Sequence, residues 1–325
     1  MTRFILRRLA QLPLIVLAVY TITFLLAWAL PGSAVMNDEG RAPPQSVIEA
    51  MEAQYNLDDP VVFYTEYLAK ASGARWLLSK VGLAQGDPGA PVFDFGPSLR
   101  YEDWTVNEII AGSLPVSIVL GLAAILIATI LGVAMGVLGA LRPGSLTDLA
   151  TLAVAMVGVS VPSFVIGAAL LILFPVWLGI GGVGAWDSPG DVILPAFALS
   201  LPFAAYIARL TRMGMIEELG ADYVRTARAK GLAERDVVLR HALRNAILPV
   251  VSYLGPATAF AMTGSFVVER VFNVPGIGQH FVAAVLNKDL FLIMGIVLIF
   301  STMLSLFNLA VDALYAVVDP RIQQT

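Results

Sequence analysis

Apolar residues run without a charge over 9–37, 109–141, 149–186, 192–208, 246–268 and 290–311. A helix needs about 20 apolar residues to cross a hydrocarbon core of about 30 Å, and these runs approach or exceed that length. Lipid offers the backbone no water, so such runs are expected to be helices that satisfy their own N–H and C=O groups. They lack the alternating apolar and polar dyads of a membrane barrel. The run 149–186 closes on LGIGGVGAWDSPG, a loop pattern. Counting it as one long span over 149–178 gives six spans in an all-α integral membrane protein.

Between the first two spans, 31–108 is a long polar stretch. PPQSVIEAMEAQYNLDDPVVFYTEYLAK has helix-like apolar spacing broken at Pro60, which predicts two short helices. DPGAPVFDFGPS is rich in proline and glycine and predicts irregular chain. The organisation expected is therefore a tip and first span over 1–30, an outer segment over 31–108, and a five-helix core over 109–325. The outer segment is either a lid over the span ends or a docking surface. Pro115, Pro162, Pro175, Pro195, Pro202 and Pro249 fall in or near spans, where each frees a carbonyl and kinks the axis. They are either tolerated kinks or hinges.

Charge fixes an orientation. With both ends cytoplasmic, the inner segments hold 13 basic and 8 acidic residues, and the outer ones 7 and 16. The basic excess belongs inside. The N-terminus, with Arg3, Arg7 and Arg8 before an apolar run over 9–30, imitates a secretory signal. That run exceeds the about 7–15 residues of a signal core, so it is expected to stay as the first helix.

Only then does composition narrow the chemistry. The 325 residues are 58% hydrophobic and 14% charged, with a mean hydropathy of +0.80. There is no cysteine, so disulfides and thiolate sites are excluded. None of the apolar runs holds a charge or histidine in its interior, which disfavours an ion-driven carrier. Arg209 and Asp312 stand at inner helix ends, where snorkelling accounts for them. The four lysines sit in LAKAS, LSKVG, RAKGL and LNKDL, none of them a phosphate-binding loop. HExxH and GxSxG are absent too, so a membrane hydrolase finds little support. Such a bundle either conducts passively or draws its energy from a partner.

One inner segment breaks the oily pattern. RTARAKGLAERDVVLRHALRNAILPVV (225–251) follows MIEELGADYV and reads as helix, glycine turn, helix. The first helix is expected to run unbroken from Met215 to the turn at Gly231, with Arg225, Arg228 and Lys230 at its C-terminal end, where cations suit the dipole. Gly231 can take the left-handed conformation that stops a helix. The second enters the membrane at Ile247–Pro249. Anchoring on anionic lipid accounts for the arginines; a rigid cytoplasmic knob accounts for the hairpin.

RTARAKGL (225–232) followed by RHALRNAILPVV (240–251) resembles the coupling loop of binding-protein-dependent ABC importer permeases, in the dipeptide, oligopeptide and nickel branch. Arg225-Thr226-Ala227 stands where the general pattern has Glu-Ala-Ala, and Leu248-Pro249 comes later than that pattern places it; both departures are shared by this branch. FILRRL, DFGPSLRYEDWTVNEII, GVSVPSF (158–164), ARLTRMGMIEEL (208–219), NVPGIGQHF (273–281) and YAVVDPRI (315–322) extend the resemblance over nearly the whole chain. DFGPSLRY tilts it towards the oligopeptide member, with dipeptide or nickel import as the alternative.

The resemblance implies a type I importer transmembrane fold and a non-catalytic permease subunit in the bacterial cytoplasmic membrane. It implies a second homologous permease, two cytoplasmic ATPase subunits that bind ATP and Mg, and an extracytoplasmic solute-binding protein. No cofactor on this chain and no nucleic acid is implied. The coupling loop would span 214–248. Arg225, Thr226, Ala227, Gly231 and Leu232 would form the docking turn. Arg228, Lys230 and Arg235 would pair with acids on the ATPase, or remain solvated. Arg244, Asn245 and Pro249 would set how the second helix enters the membrane. Ser160, Pro162 and Ser163 are candidates for the translocation path. The NVPGIGQH loop (273–280) is an outer gate, a contact for the binding protein, or a plain turn.

Overall fold

The structure, a computed structural model, describes residues 2–31, 44–83, 91–101, 103–182, 184, 186–263 and 265–318. The chain divides into two compact units. One holds Thr2–Pro115 with Gly276–Ser305; the other holds Val116–Pro275 and the chain from Leu306.

In the first of these units, α1 (Thr2–Ala29) leads to an outer segment of three helices, α2 (Gln45–Tyr55), α3 (Pro60–Ala71) and α4 (Ala74–Lys80). The sequence pattern anticipated two; α4 is a further short helix that starts after Gly73. The break at Pro60 is a helix start. Asp59 accepts hydrogen bonds from the N–H groups of Val61 and Val62 at 2.9 and 3.1 Å, and Pro60 occupies the first position, where its missing donor costs nothing. The return segment is irregular over 91–101, as its proline and glycine content predicts; the first part of the stretch so read, 87–90, lies outside the described residues.

The core of this unit is aromatic. Tyr20, Phe24, Phe63, Tyr67 and Phe291 are buried together, and the buried Tyr67 hydroxyl donates to the Phe291 carbonyl at 3.1 Å. Asp289, just ahead of α15 (Leu290–Val318), is also buried. It accepts from the Ser98 hydroxyl at 2.6 Å and from the Leu99 and Leu292 N–H groups at 3.0 and 3.1 Å. Those bonds satisfy a carboxylate that would otherwise be costly to bury.

The second unit takes most of α5 (Val106–Leu141), then α6 (Leu146–Ser160), α7 (Ser163–Leu171), α8 (Ile193–Leu219), α9 (Asp222–Ala229), α10 (Glu234–Asp236), α11 (Leu243–Ala246), α12 (Leu248–Thr263) and α13 (Phe266–Phe272). Buried Ala124, Ala128, Ala196, Ala198, Ala204, Ala257 and Ala261 dominate its core. Lipid supplies no hydrophobic drive between helices, so small side chains that let backbones approach do the packing.

Among the described residues four helices are long and apolar enough to cross a membrane: Arg8–Ala29, Val106–Leu141, Pro189–Leu219 and Leu290–Val311. Two bent pairs bring the count to as many as six when each is taken as one span. Leu146–Ser160 and Ser163–Leu178 meet at 99°, and Glu234–Ala246 and Leu248–Thr263 at 55°. The expectation of one long span over 149–178 is therefore corrected to a broken one. Val161 precedes Pro162, and a residue before proline is pushed out of the helical region. Val161 (φ −91, ψ 123) and Pro162 (φ −55, ψ 138) are both extended, which turns the chain. At 15 residues, α6 is about 22 Å long, too short to span alone. Ile172–Leu178 then widens into a π-helix around Pro175, whose missing N–H breaks the regular ladder.

The link from span five to span six differs likewise from a plain turn. It carries α13 and α14 (Ile277–Leu286), separated by Asn273 in the left-handed region at φ 52.

Candidate functional site

The inner hairpin starts with a break the sequence did not reveal. The helix expected to run from Met215 to the glycine turn is two helices: α8 ends at Leu219, Ala221 is extended (φ −70, ψ 150), and α9 begins at Asp222. Gly220, a poor helix former, and extended Ala221 make a two-residue joint.

Helix α9 ends as a Schellman turn. The Gly231 N–H donates to the Arg228 carbonyl at 2.9 Å and the Leu232 N–H to the Ala227 carbonyl at 3.4 Å. Gly231 lies at φ +78, the left-handed conformation that this cap requires. No heavy atom lies within 4 Å of the Cβ that a larger residue would carry there, so the demand on this position is conformational.

The returning arm, Glu234–Ala246, widens into a π-helix over Val237–Ala242 and stops at Ile247. Pro249 explains the stop. Continued as a helix, its ring would meet the carbonyl of Asn245, four residues earlier.

Between the two arms lies a small apolar core of Val224, Ala227, Val237, Val238, Ala242 and Ala246, joined by Met215 and Ala140. The hairpin is therefore packed against α8 and not suspended from it. Ala227, expected in the docking turn, faces inward at 6% exposure and packs the two arms together. Arg225, Thr226, Arg228, Lys230, Gly231 and Arg235 are exposed, as are Arg244, Asn245 and Pro249. Leu232 is a bare apolar side chain, 42% exposed, at the tip.

Two charges at the tip already have partners. The Arg228 Nε and Nη2 donate to the two Glu234 oxygens at 3.1 and 2.7 Å, straddling the glycine turn. That hydrogen-bonded guanidinium holds the Glu234 carboxyl below its usual range, although salt screens so exposed a pair. Arg225 contacts Asp222 at 3.4 Å. Lys230 and Arg235 point their charge outward with Leu232 between them in sequence.

Behind the tip, Tyr223 and Glu218, which sequence reasoning passed over, join Asn245 in tying the arms together. The Tyr223 hydroxyl donates to the Glu218 carboxylate at the end of α8. Asn245 Nδ2 donates to the same Tyr223 oxygen at 3.1 Å. Two turns up α8, Arg212 grips Asp148 at the start of α6 through Nε–Oδ1 and Nη2–Oδ2 distances of 2.5 and 2.7 Å. Asp148 had a faint sequence signal: Ser145 three residues earlier is its helix cap.

The path candidates separate. Ser160 lines a cleft of about 510 Å³ between α5, α6 and α8, together with Met135, Thr151, Tyr206, Arg209 and Arg212. Pro162 and Ser163 lie outside that lining: Pro162 belongs to the 99° turn between α6 and α7, and Ser163 opens α7. Further out, Ser117 Oγ donates to the fully buried Glu269 at 2.7 Å, and Ser265 Oγ also donates to it.

Comparison with known proteins adds descent to this geometry. The family described as "Binding-protein-dependent transport system inner membrane component" matches residues 128–324, and its N-terminal companion family matches 1–121. The chain is 42% identical to the oligopeptide transport system permease protein OppB of Salmonella typhimurium, over 99% of this chain and all of that one. It is 39% identical to the protein of the same name from Haemophilus influenzae, with equal coverage. The dipeptide transport system permease protein DppB of Bacillus subtilis is 38% identical over 99% of this chain and 98% of that one. Among solved structures, a crystal structure of an amino acid ABC transporter with histidines aligns with a TM-score of 0.48 at 17% identity, covering 64% of this chain and 93% of that one.

Proposed function

This chain belongs to the family of inner membrane components of binding-protein-dependent transport systems, and from that premise we propose that it is the oligopeptide-importing permease of an ATP-driven transporter. Its place is the inner membrane, which it crosses several times, and it carries out no catalysis itself. A second permease subunit, two cytoplasmic ATPase subunits holding ATP and Mg, and an extracytoplasmic solute-binding protein complete the assembly in this reading. Both chain ends lie on the cytoplasmic side, as the basic excess of the inner segments supports.

The observation that carries the reading is the hairpin 222–246. A passive channel has no use for two short helices packed on each other, closed by a left-handed glycine and tipped with Leu232 between exposed cations. A coupling element needs that stiffness. A ligand shifts a conformational equilibrium only by its differential affinity for the two states. Here the ligand is ATP on another subunit, so its effect must cross a protein–protein contact. Arg225, Thr226, Lys230, Gly231, Leu232 and Arg235 make that contact, and the packed arms carry the displacement into α8 and α12. The cleft at Ser160 serves the path, and its mostly apolar wall suits a cargo whose sequence is not read. Affinity then resides in the solute-binding protein. Dipeptide import is the second reading, favoured by the similarity to DppB of Bacillus subtilis.

Co-purification of the native chain and of Gly231→Trp with the ATPase subunits tests the dock. Tryptophan at the tip leaves membrane insertion intact but strains the left-handed turn at φ +78, so Gly231→Asn, which tolerates that conformation, is the control that separates strain from the bulk at the dock. Retention by the native chain and loss from the variant supports the reading. A variant that keeps its ATPase and its peptide-stimulated hydrolysis refutes it. Competition of labelled peptides of two to six residues for uptake separates oligopeptide from dipeptide transport.

A further inference from the structure

The joint at Gly220–Ala221 poses a mechanical problem. Two non-helical residues between α8 and α9 would act as a hinge, and a hinge absorbs displacement. The apolar core shared with Met215 crosses it, and the Tyr223 side chain adds a polar bridge. Its hydroxyl donates back across the joint to Glu218 on α8 and accepts from Asn245 on the returning arm. One oxygen atom thus contacts the end of the spanning helix, the first arm and the second arm of the hairpin.

We propose that Tyr223 is a positioning residue for transport: its hydroxyl is the strut that makes the coupling hairpin and α8 move as one body. The inference rests on the coupling role given to the hairpin above. Several observations favour a strut over incidental packing. Tyr223 is 40% exposed, and contacts with Glu218, Asn245 and the His241 carbonyl converge on its hydroxyl. Only a hydroxyl can serve both neighbours, since it donates to a carboxylate and accepts from an amide with the same atom. Desolvation, aided by the bond to Glu218, pushes the phenol above its ordinary range, so it remains a donor at every physiological pH. On the apolar side of the same junction, α8 and the returning arm already touch. A Cβ on Gly214 would lie 2.7 Å from the Ala246 carbonyl. The apolar core with Met215 also holds the hairpin to α8, and Tyr223 adds a directional polar contact across the joint.

The test uses the assembled transporter in lipid nanodiscs with its ATPase subunits and solute-binding protein. Tyr223→Phe keeps the ring and deletes the strut. It should retain the ATPase on purification while the hydrolysis stimulated by peptide-loaded binding protein falls about five- to tenfold, the scale of one lost hydrogen bond of ordinary strength. Glu218→Gln, which can still accept from the phenol, should retain most of that stimulation, whereas Glu218→Ala should match Tyr223→Phe. Combining Tyr223→Phe with Asn245→Ala should be no worse than Tyr223→Phe alone, because Tyr223→Phe already removes the connection to Asn245. Undiminished stimulation in Tyr223→Phe, or additive losses in the double variant, overturns the strut. Loss of the ATPase from Tyr223→Phe also overturns it, by assigning the hydroxyl to the dock. If the native chain itself holds no ATPase, the coupling role fails first, and the strut with it.

Discussion

Arg212→Met should destabilise the protein by about 3 kcal/mol. The Asp148 side chain is 3% exposed and Arg212 24%. Their two short contacts form the bidentate geometry in which guanidinium and carboxylate bind best. With the guanidinium gone, the Asp148 carboxylate keeps one side-chain bond, from the Gly144 N–H at 2.8 Å. Removing one member of a buried pair costs about 3–5 kcal/mol because it strands the other charge. The lower end applies here, since water reaches Arg212. Removing both charges is a different matter. Arg212→Met with Asp148→Leu strands nothing, and exposed Gly144 can donate to water, so the double variant should lie within about 1 kcal/mol of the native chain. Denaturant midpoints in detergent for all four proteins close the cycle, with an expected coupling of at least about 2 kcal/mol. If the single variant costs under about 1 kcal/mol, or the double is no better than the single, the pair does not brace α6 against α8 and the reasoning fails.

Other outcomes follow from the same geometry. Gly231→Ala should weaken ATPase binding about fivefold through the roughly 1 kcal/mol of left-handed backbone strain, while Gly231→Asn should stay within about twofold; equal affinities would remove the conformational demand. Pro162→Ala should open the 99° bend between α6 and α7. Because the chain has no cysteine, spin labels on Leu149→Cys and Ile172→Cys can read it, with the distance rising towards the about 35 Å of a continuous helix and an unchanged distance contradicting the proline's role. Burial holds His280 below its ordinary pKa, and its Nδ1 has no hydrogen-bond partner among the described residues. The unfolded chain therefore binds the proton more readily, so stability is full above about pH 6.5 and falls as pH drops through that value. His280→Phe, which keeps a ring against Tyr101, should flatten that part of a melting-temperature profile.

The six apolar runs were legible because lipid imposes one solution on the backbone, and a run of uncharged residues reports it directly. The hairpin was legible for a similar reason, since Gly231 and Pro249 are residues whose backbone restrictions act locally. What stayed hidden was decided by partners distant in sequence. Nothing in GADYVRTARAKG marks Ala221 as extended; the small core of Val224, Ala227 and Val238 turns the chain there. Nothing near Tyr223 announces Asn245, 22 residues on, and Arg212 reads as one more inner arginine until Asp148 is beside it. The bend at Val161–Pro162 was readable in principle from the residue before proline, but the long apolar run around it suggested a single rod. Ala227 looked like part of the docking turn because exposure cannot be inferred from a motif's spelling.

Helix α8 runs uninterrupted for 27 residues from Ile193 to Leu219, despite Pro202 within it, and is thus about 40 Å long. In the coupling proposed above, with its Leu219 end held by the hairpin, it is a lever whose far arm exceeds the about 30 Å of the hydrocarbon core. A tilt of about 5° imposed near Leu219 sweeps the other end through about 3.5 Å, roughly the width of one extended residue. Under the proposed coupling, small movements at the hairpin end of α8 become molecular-scale displacements at its other end without any spanning helix having to unwind.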